Sequence, residues 1–132
     1  MTENACRKIA LPHLHARRQW PFSILVFFHG GGFVLGDLDT YDGICRRPAN
    51  GAGCLVASVD YPPAPEHKFP AASKACYAAT QWVARHTVEF NGDACRIAPG
   101  GDSAGGNLTA VVAQMTRDQG GPALVFPALS VC

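Results

Sequence analysis

The sequence has no cluster of basic residues and no hydrophobic run long enough to cross a membrane. Its 132 residues include 11 Lys and Arg and 10 Asp and Glu, which gives a formal net charge of +1. Without a basic patch, nucleic acid is not an expected partner. The longest uncharged apolar stretch, residues 22–36, is too short for a spanning helix and contains three consecutive glycines. The first residues also lack the apolar segment of a secretory signal, so the sequence predicts a cytoplasmic protein.

The six cysteines show none of the spacings that mark a metal or redox site. No pair forms a C-x-x-C motif, and no histidine stands at zinc-finger spacing from them. Cys54 falls in a strand-like segment and Cys76 in a helix-like one, which favours reduced, mostly buried thiols. A disulfide framework is the alternative, and a cytoplasmic location disfavours it.

Strand-like and helix-like segments alternate along the chain. Strand patterns cover residues 23–29, 54–61, 96–100 and 123–131, and helix patterns cover residues 40–50, 69–86 and 104–118. Pro99 stands within the third strand, where it removes one ladder donor. Residues 1–21 are poorly patterned, so we expect one domain over residues 22–132. The alternation predicts an α/β fold with a mainly parallel sheet and helices on both faces. Active residues of such sheets lie at the carboxyl ends of strands, and two glycine-rich loops follow strands here.

One of these loops contains the motif G-x-S-x-G, as Gly101-Asp102-Ser103-Ala104-Gly105. It follows a predicted strand and opens a predicted helix, which is the context of a nucleophile elbow. A serine there must stand on a tight turn, and the flanking glycines avoid clashes that side chains would make. The N–H of Ala104, at the helix N-terminus, can donate to an oxyanion. A glycine-rich turn with a capping serine is the alternative interpretation.

The other loop, His29-Gly30-Gly31-Gly32-Phe33, directly follows the first apolar strand. Its glycines allow the backbone to turn sharply and to approach a ligand closely. Loops of this H-G-G-G type complete the oxyanion hole that a serine elbow begins. A phosphate-binding loop would need Gly-Lys-Ser/Thr at its end, and a dinucleotide fingerprint would need a third glycine where leucine stands. The pattern therefore favours an oxyanion hole.

Three segments together resemble the bacterial hormone-sensitive-lipase family of esterases. They are HGGGFVLGDLDTYD (29–42), DYPPAPEHKFPAA (60–72) and GGDSAGGNL (100–108). The resemblance implies an α/β-hydrolase fold, a carboxylic-ester hydrolase activity on a small-molecule ester, and no metal or cofactor. The implied site residues share the two glycine-rich loops: Ser103 matches the nucleophile, Gly31, Gly32 and Ala104 match the oxyanion-hole donors, and His29 and Gly30 match residues that support the loop.

No histidine follows Ser103, although the triad of α/β-hydrolases runs Ser, then Asp or Glu, then His. The only later carboxylate is Asp118, which would stand roughly 20 Å away at the far end of the helix that Ser103 opens. The sequence therefore resembles a partial fold, truncated after the strand that follows the nucleophile helix, and we expect this chain alone to be inactive. A non-catalytic small-ligand-binding module on the same fold is the alternative function. We also expect self-association, because the last strand would expose an apolar edge.

Overall fold

The computed structural model describes residues 6–10, 21–29, 53–59, 71–102, 104–125 and 128–130. Within them the chain forms five β-strands, two α-helices and a 3-10 helix, Thr87–Phe90. The strands are β1 (Cys6–Ala10), β2 (Phe22–Phe28), β3 (Leu55–Val59), β4 (Gly92–Asp102) and β5 (Ala128–Ser130). The helices are α1 (Ala71–Arg85) and α2 (Ala104–Gln119). The helix predicted over residues 40–50 lies outside the described residues.

The five strands form one sheet in the order β1-β3-β2-β4-β5. Strands β2 to β5 run parallel, and β1 pairs antiparallel with β3. This confirms the predicted α/β fold with a mainly parallel sheet. The helix α1 connects β3 to β4 and α2 connects β4 to β5, so both crossovers advance in the same direction along the sheet. Because such crossovers are right-handed, both helices lie on one face, where they pack against each other.

The chain leaves β2 and β4 in opposite directions along the sheet. The next described strand after β2 is β3, on one side, and the next after β4 is β5, on the other. Where connections diverge in this way, a crevice opens outside the carboxyl ends of the two strands. The topology therefore predicts a binding or active site at the carboxyl ends of β2 and β4.

Strands β2 and β3 supply much of the core in the described part of the chain. Phe22, Ile24, Val26 and Phe28 are buried in the same cluster as the helix side chains, and they alternate with half-buried residues of β2. All five residues of β3 are buried, as expected of a strand that is covered on both faces. Burial of each large apolar side chain contributes roughly 1.5–3 kcal/mol. This is why both strands read as continuous apolar runs in the sequence.

The two helices bury mostly small side chains against each other and the sheet. Within α1, Cys76, Ala79 and Val83 are fully buried at spacings of three and four, as expected of an amphipathic helix. The buried residues of α2 recur at spacings of three and four: they are Ala104, Gly105, Gly106, Leu108, Thr109, Val112 and Thr116. No helix in the described part of the chain is long and apolar enough to cross a membrane.

Two adjacent glycines end α2. Gly120 has a φ of +66°, and the N–H of Gly121 donates to the carbonyl of Thr116 at 2.9 Å. This is the Schellman arrangement, which satisfies a carbonyl that the helix itself cannot. A Cβ added at Gly121 would lie 2.5 Å from the hydroxyl oxygen of Tyr77, so a side chain at this position would require the Tyr77 ring to shift.

The first and last strands differ from the sequence prediction. Strand β1 forms within the segment that showed no strand pattern. It lies at the edge of the described sheet and is joined to β3 by backbone pairing, and two of its five residues, CRKIA, are charged, so its sequence shows no apolar run. Within the predicted strand 123–131, the described strand residues are those of β5, Ala128–Ser130. Residues 121–125 have no regular structure, and the N–H of Val125 instead donates to the carbonyl of Ile97 at 2.8 Å.

Strand β4 starts four residues earlier than the pattern predicts. The turn before this strand is made by Asn91, with a φ of 56° at the end of the 3-10 helix. Gly92 already pairs with Phe22 of β2. Glycine and aspartate are typical of turns, so this exposed beginning of a strand gave no strand signal.

Pro99 is accommodated in β4 because its nitrogen faces away from β2. Successive residues of a strand direct their backbone groups to opposite edges. The carbonyl of Ile97 accepts its hydrogen bond from Val125, on the β5 side, and Pro99 is two residues further on. Strand β5 pairs with β4 only from Gly100 onward. The ladder between β2 and β4 therefore loses no donor.

Candidate active site

The carboxyl ends of β2 and β4 lie side by side. Phe28, the last residue of β2, pairs with Gly101 in the parallel register. His29 follows directly, and Asp102 ends β4. The two positions at which the glycine-rich loops leave the sheet are therefore neighbours on one rim, as the sequence predicted.

The first turn of α2 packs directly on the backbone at the end of β2. A Cβ added at Gly105 would overlap the carbonyl oxygen of Phe28 and lie 2.7 Å from its carbonyl carbon and 3.0 Å from the oxygen of His29. A Cβ added at Gly101 would meet the same oxygen of Phe28 and lie 2.6 Å from the carbonyl atoms of Gly105. Only glycine fits at these two positions. The motif glycines therefore allow β2, β4 and α2 to meet at one point.

The N-terminus of α2 offers a favourable environment for negative charge. The helix begins at Ala104, which is buried, and its first turn contains no acidic residue. The first N–H groups of a helix have no partner within the helix, and the dipole gives this end a partial positive charge. An oxyanion beside Ala104 would be stabilised by both effects.

Two of the six predicted site residues lie within the described part of the chain. Ala104 starts α2, and His29 is buried, with 4% of its surface exposed. Ser103 and Gly30 to Gly32 fall outside the described residues, although each segment is directly joined to described neighbours. The roles predicted for all six residues stay predictions at this point.

Two described side chains of the types that a catalytic triad uses, His86 and Asp118, lie far from the elbow. His86 follows α1, near the start of β4, and the 11 residues of that strand separate it from the elbow by roughly 30 Å. Its Nδ1–H donates to the carbonyl of Trp82 at 2.7 Å, and the two rings stack with centroids 4.3 Å apart. Asp118 is exposed at the far end of α2 and pairs with Arg117 at 2.9 Å. His13, His15 and His67 lie outside the described residues.

A pocket of about 290 Å³ lies at the opposite rim and is separate from the elbow. It is lined by Gln81, Ala84, Arg85, Gly120, Gly121 and Pro122, at the ends of both helices. Among the described residues, no group of three or more His, Cys, Asp or Glu side chains is arranged to hold a metal ion. The rim that holds the two glycine-rich loops therefore remains the candidate site.

The structure adds two residues that the sequence analysis did not single out. Phe28 contributes the backbone on which the elbow rests, and Thr109 donates its hydroxyl hydrogen to the carbonyl oxygen of Gly105 at 2.8 Å. The spacing of four between Gly105 and Thr109 could have indicated the second contact, because threonine in a helix often bonds to the carbonyl four residues earlier. No local pattern indicates the first.

Characterised esterases are similar to this chain. Esterase LipI of Mycobacterium tuberculosis is 57% identical over 106 residues, which cover 80% of this chain and 33% of that protein. Carboxylesterase NlhH of the same organism is 48% identical over 125 residues, which cover 90% of this chain and 39% of that protein. Among solved structures, a bacterial heroin esterase superimposes with a TM-score of 0.86 at 38% identity, covering 92% of this chain and 37% of that one.

The chain spans about a third of the length of the curated relatives that it matches. A family model described as alpha/beta hydrolase fold, Abhydrolase_3, matches residues 25–131. This match covers the parallel sheet from β2 onward, both helices and both glycine-rich loops. It agrees with the resemblance carried by the three sequence motifs, and the chain therefore belongs to the Abhydrolase_3 family of the alpha/beta hydrolase fold.

Proposed function

We propose that this chain carries the nucleophile and the oxyanion hole of a carboxylic-ester hydrolase that acts on small-molecule esters. Ser103 is the nucleophile, the N–H groups of Gly31, Gly32 and Ala104 hold the oxyanion, and His29 with Gly30 supports the glycine loop. The proposal depends above all on the contact of Gly105 with Phe28 and His29. This contact joins the helix that Ser103 opens to the strand end from which the glycine loop departs.

The reaction assigned to these residues is acyl transfer through a covalent intermediate. The hydroxyl oxygen of Ser103 attacks the ester carbonyl as a base takes its proton, and the carbonyl oxygen becomes an oxyanion that the three N–H groups stabilise. The tetrahedral intermediate collapses, the alcohol leaves with a proton from the base, and water then hydrolyses the acyl-enzyme. The names of the esterase relatives support this activity for the protein that carries the chain.

The proposal is tested by ester hydrolysis with the intact natural protein. Purified protein should hydrolyse p-nitrophenyl butyrate and react with a fluorophosphonate probe, and Ser103→Ala should abolish both. Ser23→Ala is the matched control, because Ser23 stands at the opposite end of β2, and it should change neither. Hydrolysis that survives Ser103→Ala would refute the assignment of the nucleophile.

We further propose that a polypeptide of these 132 residues alone has negligible esterase activity. No histidine follows Ser103 in it. Of the two described histidines, His86 lies on the opposite rim, and His29 is assigned to the support of the glycine loop. Loss of the base in a serine hydrolase costs on the order of 10⁶ in turnover, although the oxyanion hole and binding can leave a residual rate of roughly 10³ over water. Enzyme-like hydrolysis of p-nitrophenyl butyrate by this polypeptide, abolished by Ser103→Ala, would contradict the proposal.

A second candidate function is a non-catalytic module that binds a small ligand in the same crevice. The two candidates give different results in one experiment. Fluorophosphonate labelling of Ser103 supports a hydrolase. A ligand-induced rise in melting temperature without labelling supports a binding module.

Self-association is proposed for the same 132-residue polypeptide. In the order of the described strands, β5 lies at the edge of the sheet next to β4, and an edge strand can pair with another chain. Size-exclusion chromatography should show oligomers that increase with concentration, whereas a sharp monomer peak at high concentration would refute this. The cytoplasmic location stays a prediction of the sequence alone.

A further inference from the structure

Three buried threonines of the two helices make the same local hydrogen bond. The hydroxyls of Thr80, Thr109 and Thr116 each donate to the carbonyl oxygen four residues earlier, and each distance is 2.8 Å. Thr80 and Thr109 are fully buried and Thr116 is 7% exposed, so these bonds satisfy hydroxyls that have little access to water. Two of the acceptors lie in the body of a helix, whereas the acceptor of Thr109 is Gly105, in the first turn of α2.

The carbonyl of Gly105 is part of the contact that assembles the elbow. Its carbon and oxygen lie 2.6 Å from the position of a Cβ at Gly101, so they touch the end of β4. The Cα of the same residue faces the carbonyl of Phe28 at the end of β2. A rotation of the peptide between Gly105 and Gly106 would therefore disturb the packing against β4, next to the contact with β2.

This part of the helix has little intrinsic stiffness. Gly105 and Gly106 are adjacent in the first turn, and glycine is a weak helix former because its backbone loses the most freedom on folding. The contact with β2 requires glycine at position 105, so an ordinary side chain cannot stiffen the turn there. A second hydrogen bond to the Gly105 carbonyl, in addition to the helical one, restricts the peptide instead.

We infer that Thr109 is a positioning residue for the nucleophile elbow, acting through its hydrogen bond to the carbonyl of Gly105. The inference deepens the proposed function and rests on it. Thr109 does not touch the reacting atoms. It fixes the first turn of α2, and with it the direction of the Ala104 N–H and of the serine that precedes it. Misplacement of reacting groups by about 1 Å can cost roughly 100-fold in rate, so a looser turn should lower turnover more than substrate binding.

The test compares variants of the intact natural protein that remove the same hydrogen bond at different places. Thr109→Val and Thr116→Val each delete a buried hydroxyl and keep the side-chain shape, and Thr109→Ser keeps the hydroxyl. We expect Thr109→Val to lower kcat for p-nitrophenyl butyrate and the rate of fluorophosphonate labelling about tenfold, with KM changed by less than about twofold. Thr109→Ser and Thr116→Val should stay within about twofold of wild type.

The outcomes distinguish a failure of this inference from a failure of the proposed function. A wild-type protein that is neither active nor labelled overturns the proposed function and this inference together. A labelled and active wild type, with Thr109→Val and Thr116→Val equally affected, overturns the inference alone. If Thr109→Val does not fold, Thr109→Ala replaces it, since it also removes the hydroxyl and adds no atoms.

Discussion

At the scale of single residues, the position of the candidate site depends on two glycines, which have no side chain. Gly101 and Gly105 let three backbone segments meet, because each Cα faces carbonyl atoms of a neighbouring segment. A flexible side chain can move away from an added methyl group, but a backbone carbonyl within a sheet cannot. The two motif glycines are therefore required by packing.

Gly105→Ala should destabilise the protein by about 3 kcal/mol, at the upper end of the range for overpacking. The new Cβ would overlap the Phe28 oxygen, and β2 is fixed by pairing on both sides. Urea unfolding monitored by circular dichroism measures the loss. An unchanged free energy of unfolding would show that α2 does not rest on β2 as described.

At the scale of elements, the ends of α2 are determined by different kinds of constraint. Its first turn is positioned by contacts with β2 and β4. Its last turn is closed by the left-handed conformation of Gly120, where an added Cβ would meet nothing within 4 Å. The cost of a side chain is steric at Gly105 and conformational at Gly120.

Gly120→Ala should therefore cost about 1 kcal/mol, because a residue with a Cβ is disfavoured at positive φ. Gly120→Asn should cost less, since asparagine tolerates this conformation better. Unfolding curves of both variants check the order. Equal losses, or a larger loss for asparagine, would contradict a backbone origin of the effect.

The elements with strong periodicity could be predicted from the sequence. Strands β2 and β3 read as apolar runs because they are buried, and the helices α1 and α2 show spacings of three and four. Strand β1 gave no such signal, since an edge strand held by backbone pairing does not need an apolar run. The start of β4 was missed because Asn91 makes the turn before it without Gly92 or Asp93. The start of β5 was missed because Val125, although apolar, donates to the carbonyl of Ile97 outside the regular strand pairing.

The rim of the candidate site could be predicted from the sequence, but its contacts could not, and the chemistry assigned to its residues stays a prediction. Glycine-rich loops after parallel strands must meet if the strands are neighbours, and the motif types carry the chemistry. The contact of Gly105 with Phe28 joins residues that are far apart in sequence, so no local pattern contains it. The bond of Thr109 is local, yet its importance depends on that long-range contact.

At the scale of the whole molecule, a small polar cluster ties the two central parallel strands together at the rim opposite the site. Arg96 donates to the carboxylate of Asp93 at 2.9 Å and to the carbonyl of Pro21 at 2.6 Å. The N–H of Cys95 donates to the same carboxylate at 2.8 Å. These bonds, first that of Cys95 and then that of Arg96, lower the pKa of Asp93 below its ordinary value.

A lowered pKa makes the stability depend on pH in a defined direction. The contribution of Asp93 is complete above the ordinary pKa of an aspartate and is lost as the pH falls through the lower pKa of the folded state. Asp93→Asn should therefore reduce the loss of unfolding free energy between about pH 6 and about pH 3. Arg96→Gln should reduce it less, because the Cys95 bond remains. An unchanged pH dependence in Asp93→Asn would contradict this.

The described cysteines differ in exposure, so their reaction with a thiol reagent can report on unfolding. Cys95 is exposed on β4, whereas Cys54 and Cys76 are buried, and burial raises the pKa of both buried thiols, most strongly that of Cys76. The thiolate form of a cysteine attacks alkylating reagents, so maleimide should modify Cys95 in the native state and the two buried thiols only after the core opens. Mass spectrometry of a timed modification would then follow the opening of the sheet, with no dye or engineered cysteine introduced.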